Sequence, residues 1–343
     1  AGIITDVFAK LPNYLVVVKT PWGMLAKGAQ VVLYNQNSNT IVASEIATYG
    51  VAVFTKDQRQ NAYTMSATWT QKETGLTFKS APRISVGKTL DMDVITVHPT
   101  FRIGLKDTDH NAYISGYPDG LVRPNNTLTR AEAAQIIFEL MTDESKAQYA
   151  KKTGKTFIDV GKDHWAYEAI TMMTKANVLV GMGDGRFDPN AVMTREQFAT
   201  MIAQLFMIEI NQPIGGFIFK DLNGGFADKY ISFLYMLGIL EGKGDNMFGP
   251  KDSLTRAQAI TVVNKLIGRL PGEGTTSFGA VADQMKTWPD NMDTTAWYYA
   301  AIQEATNSHD YTLDVNFNTF GDLKGDIFQN IKHPVTERWT LIR

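Results

Sequence analysis

Two hydrophobic patterns divide this chain near residue 100. Before it, apolar residues come in short β-branched or aromatic runs at 14–19, 30–34, 51–54, 63–69 and 90–97. Turn-forming stretches separate them, including Pro21-Trp22-Gly23, residues 35–39 and Tyr49-Gly50. Short strands at this spacing predict a β-sandwich over residues 1–100. Beyond it the apolar period becomes helical, with Ile136, Ile137 and Leu140 in one stripe and Phe198, Ile202, Leu205 and Phe206 in a second. Helices are predicted at 130–142, 195–207 and 256–269. Thr129, Thr194 and Thr255 open them, with Glu132, Gln197 and Gln258 three residues on, which makes three capping boxes. The fold class is therefore α+β and multidomain, a sandwich followed by a mainly helical region over 101–343.

The helical region is built on repeats. GYPDGLVRPNNTLTR at 116–130 returns as GMGDGRFDPNAVMTR at 181–195 and as GKGDNMFGPKDSLTR at 242–256. Gly116, Gly181 and Gly242 are each followed by an Asp three residues on (Asp119, Asp184, Asp245) and a Pro eight on (Pro124, Pro189, Pro250). A Thr-Arg pair ends each copy, with Arg130, Arg195 and Arg256 last. A second element precedes the later copies: Phe157-Ile158-Asp159 then His164-Trp165-Ala166, and Phe219-Lys220-Asp221 then Phe226-Ala227. Its third occurrence, Trp288-Pro289-Asp290 then Ala296-Trp297-Tyr298, has no signature after it, while the first signature has no such element before it. Closure resolves the mismatch, the last element supplying what the first repeat lacks in a pseudo-threefold ring. An open stack would need polar caps at its ends. The expected repeats are 108–142, 157–208 and 219–270, closed by 288–310, with a tail at 311–343.

Composition narrows the chemistry. The 343 residues are 44% apolar and 20% charged, with net charge −2. No global field draws such a chain to nucleic acid or anionic lipid, and neither is expected as a partner. With no cysteine, disulfides, thiolate catalysis and Cys-ligated metals drop out. Apolar runs such as 15–18 are too short to span a bilayer, and Ala1 opens no signal-peptide pattern, which leaves a cytosolic chain, a mature form or a cut fragment. The five His are scattered and the Asp159–Asp163 run lacks the alternation of an EF-hand loop, so no catalytic centre, metal or cofactor is expected.

The three Arg need a separate reason. Thr and Glu/Gln are accounted for by capping, but a cation in a helix's first turn is mildly disfavoured by the dipole. A bound anion supplies the reason, with the Gly-rich turn and the helix start adding N–H donors.

Together these elements resemble the surface-layer homology (SLH) domain, over about residues 108–310. Its pattern is aromatic-x-Asp, His-Trp-Ala, a helix, Gly-(Tyr/Phe)-x-Asp-Gly-x-Phe-x-Pro and Thr-Arg-Ala-Glu. The resemblance implies an extracellular bacterial protein anchored non-covalently to the cell wall, three domains folding into one pseudo-trimeric prism with grooves between lobes. The implied ligand is an anionic secondary cell-wall polysaccharide bearing pyruvate ketals on N-acetylmannosamine; modified peptidoglycan is the alternative. The ligand-binding candidates are Arg130, Arg195, Arg256, Gly116, Tyr117, Asp119, Gly181, Asp184, Gly242, Lys243, Asp245, Trp165 and Trp297. Met182 and Lys243 depart from the pattern's aromatic, Gly225-Phe226 replaces His-Trp, and the groove walled by Phe226 is expected to bind weakest while Lys243 strengthens its own. Residues 16–63 resemble transthyretin-like or collagen-adhesin B-type surface modules. Lys19 matches the amine of that family's isopeptide bond, but DMDVITV has no Asn and no crosslink is expected. An enzyme joined to the domains, or an assembly role in which the sandwich, with Trp22 near an exposed turn, is a spacer, a contact with other S-layer subunits or an adhesin stalk, are the competing readings.

Overall fold

The computed structural model describes residues 13–35, 40–82, 84–87, 92–211, 218–269, 271, 278, 282–315 and 335–341. The chain divides into two compact units, 1–100 with 315–335, and 101–314 with 336–343.

The first unit is β-rich. One sheet places β1 (Asn13–Lys19) between β4 (Val51–Thr55), antiparallel, and β8 (Met92–Thr96), parallel. The other runs β3 (Ile41–Ala47), β2 (Ala29–Tyr34), β5 (Thr64–Thr70), β6 (Thr77–Lys79) and β9 (His98–Pro99), with β7 (Ile84–Ser85) also on β5. The alternation that marked the strands fills the core: Ala29, Val31 and Leu33 from β2 and Met65, Ala67 and Trp69 from β5 are buried. The sheets meet where the Tyr14 hydroxyl reaches Met65 Sδ. A short helix α1 (Lys56–Asn61) follows β4, capped by Thr55. Trp22 itself is buried. It is 3% exposed and lies 5.8 Å from the Phe78 ring. Burial of so large an apolar surface outweighs the turn's pull toward solvent, and Trp22 offers no assembly contact.

The second unit carries α2 (Arg130–Leu140), α3 (Asp143–Ala150), α4 (Tyr167–Lys175), α5 (Arg195–Ala203), α6 (Asp228–Met236), α7 (Arg256–Leu266) and α8 (Tyr299–Thr306). Strands β10 (His309–Val315) and β11 (Val335–Leu341) pair, and the expected tail otherwise lies outside the described residues. Helices pack as α2 on α4, α5 on α6 and α7 on α8. All three capping boxes form: Thr129, Thr194 and Thr255 each accept the N–H three residues on.

The capping side chain satisfies one of the N–H groups that a helix start leaves without a partner. The next two go to another repeat, in the same way each time. Arg130 N donates to Ala191 O (3.0 Å), Arg195 N to Asp252 O (3.0 Å) and Arg256 N to Asn126 O (2.9 Å). Ala131 N donates to Pro189 O, Glu196 N to Pro250 O and Ala257 N to Pro124 O. Each signature Pro thus offers its carbonyl to a neighbour's helix start. Leu128 N bonds Leu254 O, Leu254 N bonds Met193 O and Met193 N bonds Leu128 O, a cycle of three through buried residues. Because these donors are used, the helix starts have none for an anion, and that part of the sequence expectation is corrected.

The aromatic-x-Asp elements serve the signature turns. Asp159 accepts from Phe187 N (2.9 Å) and Asp188 N (2.7 Å), and Asp221 from Phe248 N (2.9 Å) and Gly249 N (2.7 Å). Asp290, near the end of the chain, accepts from Val122 N (3.0 Å) and Arg123 N (2.7 Å) in the first signature. Burial raises the pKa of Asp159 and Asp221, but backbone N–H bonds together with the nearby Arg186 and Lys243 charges outweigh it and hold both carboxyls below the ordinary range.

Candidate ligand grooves

Gly116, Gly181 and Gly242 sit under the element aromatics. A Cβ on Gly181 would lie 2.5 Å from Phe157 Cε1 and 2.8 Å from Arg186 O. On Gly242 it would lie 2.6 Å from Phe219 Cε1 and 2.7 Å from Met247 O, and on Gly116 2.0 Å from Trp288 Cζ3. Close approach therefore explains these glycines. Four residues on, Gly120 and Gly185 have φ +80° and +85°, and Asn246 fills the same left-handed position at +62°. That is why Gly-Asp-Asn serves in the third copy: Asn tolerates this region better than most residues.

The arginines reach across repeats. Arg130 Nε donates to Phe187 O (2.9 Å) and Nη2 to Val180 O (2.7 Å), with the guanidinium carbon 4.5 Å from the Phe187 ring centre. Arg195 repeats this on Phe248 O (2.8 Å) and Glu241 O (3.3 Å), 4.5 Å from the Phe248 ring centre. Arg256 bonds Val122 O (3.1 Å) and pairs with Glu132 (3.2 Å), 4.8 Å from the Tyr117 ring centre. This gives each Arg a reason that needs no anion: it ties down the carbonyl six residues after another signature's first Gly, and Arg130 and Arg195 also hold the carbonyl just before that Gly. Burial lowers the pKa of Arg130 and Arg195, opposed by Asp188 and Asp159 at the first and by Asp252 and Asp221 at the second. An Arg stays cationic through such a shift.

Around each Arg the surface opens into a groove of repeated design. The first, about 860 Å³, is lined by Gly116, Tyr117, Glu132, Trp165 and Arg256. The second, about 950 Å³, is lined by Gly181, Met182, Gln197, Phe226 and Arg130. The third, about 270 Å³, is lined by Gly242, Lys243, Gln258, Trp297 and Arg195. In each, the signature Gly and the residue after it meet an Arg from another repeat, the third residue of the following helix and one aromatic from the next element. Those aromatics, Trp165, Phe226 and Trp297, are 61%, 59% and 63% exposed. Trp165 stacks on His164 at 5.7 Å.

Asp119 and Asp184 build turns instead. Asp119 bonds Leu121 N and pairs with Arg123 (2.6 Å), and Asp184 bonds Arg186 N and pairs with its Nε (2.8 Å). Asp245 is exposed in the left-handed region at φ +50°. None of these three lines a groove described here. Lys243 lines the third groove but its ammonium is paired with Asp252. Tyr117 hydroxyl donates to Glu132, and burial followed by that bond pushes its pKa up to about 12.

Gln197 and Gln258 were legible only as helix caps, yet both line grooves. Their Oε1 atoms accept the capping N–H (3.1 and 3.0 Å), and no described residue hydrogen-bonds to either Nε2. The first groove has the carboxylate of Glu132 in that place.

A family model of the S-layer homology domain matches residues 109–134, 156–199 and 218–260. The chain carries three S-layer homology domains. Each match ends inside a signature helix, and only the first begins without an aromatic-x-Asp element. The chain is similar to a cellulosome-anchoring protein of Acetivibrio thermocellus, 34% identical over 213 residues, 61% of this chain and 45% of that protein. It is also similar to the S-layer protein sap of Bacillus anthracis, 30% identical over 128 residues, 36% of this chain and 16% of that one. Endo-1,4-beta-xylanase A of Thermoanaerobacterium saccharolyticum shares 39% identity over 116 residues, 33% of this chain and 10% of the enzyme. The chain thus matches less than half the length of these relatives. No helix among the described residues is long and apolar enough to cross a membrane.

Proposed function

We propose that this chain anchors a bacterial surface protein to the cell wall by holding an anionic wall saccharide in the grooves between its S-layer homology domains. The observation that carries the reading is the threefold recurrence of one groove, each lined by an Arg from another repeat and by an exposed aromatic. An exposed ring takes the apolar face of a sugar, and Arg offers paired donors to a carboxylate. In the second and third grooves the Gln197 and Gln258 amides add a donor beside it. A pyruvate ketal on N-acetylmannosamine, the ligand that the family resemblance implies, combines one carboxylate with one compact ring. The cyclic hydrogen bonds among Leu128, Met193 and Leu254 and the reach of Asp290 to the first signature support a closed pseudo-threefold prism, with residues 288–310 completing the first lobe.

A cellulosome-anchoring relative and an S-layer relative favour an anchor at the cell surface over an enzyme. One saccharide per groove binds modestly, each charge-assisted hydrogen bond being worth about 1.5–3 kcal/mol, and several grooves on one polymer add avidity. Co-sedimentation of the full chain with bacterial wall sacculi tests the anchor. Binding that disappears once mild acid has removed the ketals supports the reading. Binding unchanged by that treatment moves the ligand to peptidoglycan, and no sedimentation with any wall preparation overturns it.

A further inference from the structure

Away from the grooves, His110 and His309, 199 positions apart, meet in the interior beside Glu304. The three residues are 3%, 1% and 0% exposed. Backbone pairing brings them together, His309 N donating to His110 O at 3.0 Å. His110 Nδ1 lies 3.0 Å from His309 Nε2 and 3.1 Å from Glu304 Oε1, and His309 Nε2 lies 3.4 Å from Glu304 Oε2.

Two observations point to a cation held among them. The first is the carboxylate: both Glu304 oxygens are enclosed and neither receives a hydrogen bond within the cluster or from any other described residue. A buried charge in that condition needs a counter-ion or a proton, and the two imidazoles beside it supply one only when protonated. The second is the geometry. Ligand atoms about 2.0–2.1 Å from one metal ion stand roughly 2.9–3.4 Å apart; the two ring nitrogens are that far from each other, and each is that far from a different oxygen of the Glu304 carboxylate. His309 Nδ1 is 3.0 Å from Asn307 O. A backbone carbonyl on that nitrogen fixes the tautomer that turns the Nε2 lone pair toward the cluster, as outer partners do for metal-bound His.

We propose that His110, Glu304 and His309 form a binding site for a divalent transition metal of the zinc class. Two imidazoles and a carboxylate suit that class, and the remaining position of a tetrahedral ion goes to water. His110 precedes the first signature and Glu304 lies on α8 near the chain's end, so the ion staples the two ends of the domain array. The inference rests on this cluster alone and is independent of what the grooves bind.

The test uses the full tag-free chain after dialysis against chelator. Zinc chloride titrated by calorimetry, and cobalt chloride followed by its visible absorption, give one equivalent per chain. Zinc at a hundredfold excess over its dissociation constant raises the thermal midpoint by roughly 5 °C or more. Glu304→Gln and His309→Ala each weaken binding at least about tenfold. The wild-type titrations stand even if a variant fails to fold. A wild-type chain that takes up no stoichiometric zinc or cobalt, with the same midpoint in zinc and in chelator, overturns the site, as does undiminished binding in folded variants.

Discussion

Asp290→Ala tests the proposed closure of the repeats. Its carboxylate accepts from Val122 N at 3.0 Å and Arg123 N at 2.7 Å, across 168 and 167 positions of chain. Val122 is fully buried, so its amide has no water to turn to once the acceptor is gone. A hydrogen bond to a charged group is worth about 1.5–3 kcal/mol net. Two such bonds, reduced because Asp290 is only half-buried, put the cost near 3 kcal/mol. For a unit of about 200 residues that lowers the thermal midpoint by roughly 6–12 °C. Scanning calorimetry of the full chain measures it, with Asp159→Ala and Asp221→Ala as comparisons, since each removes the same pair of bonds elsewhere. Hydrogen exchange at the Val122 amide should quicken with the loss. A midpoint within about 1 °C of wild type for Asp290→Ala, beside large drops for the other two, refutes the reasoning: the last element would not complete the first repeat.

Gly181→Ala should cost about 1–3 kcal/mol, because its Cβ meets Phe157 at 2.5 Å and a carbonyl at 2.8 Å; chemical denaturation reads this directly. Asp159 and Asp221 have folded pKa values below their unfolded ones, so their stabilisation is complete above about pH 4 and lost as pH falls through the folded values. The midpoint should therefore drop steeply below pH 4, and less so in Asp159→Asn, as a pH series of melts will show. In the first groove Glu132 and Glu139 oppose Arg256 and Lys286, so Glu132→Gln should tighten binding of a carboxylate-bearing saccharide there about fivefold by removing one like charge. Calorimetry of the variant beside wild type decides it.

The three signatures made much of this legible, because spacing alone revealed the helix starts, the caps and the unmatched halves at the two ends. Arg130 was harder to read. In one dimension it is a cation at an unfavourable end, and the carbonyls it serves lie 57 and 50 positions away. Gln197 and Gln258 were hidden because a cap explains them completely. Helix ends were read long: α5 stops at Ala203 although apolar residues continue, because Phe206 turns to pack on Phe101 and Phe233. β3 has weak alternation, and its glutamate and serine suit an edge strand exposed along one face. α3 carries almost no apolar stripe and is held by its Thr142 cap and the Tyr149 hydroxyl on Arg102 O. Trp22 misled because a Pro-Trp-Gly turn carries no sign that its ring folds inward.

The central claim is that the grooves hold a carboxylate-bearing wall saccharide. Calorimetric titration of a 4,6-pyruvylated N-acetylmannosamine glycoside, beside the unpyruvylated sugar, tests it most directly. The account predicts binding of the pyruvylated form alone, lost groove by groove in Arg130→Ala, Arg195→Ala and Arg256→Ala variants that still fold. Equal binding of both sugars, or binding of neither, would contradict it.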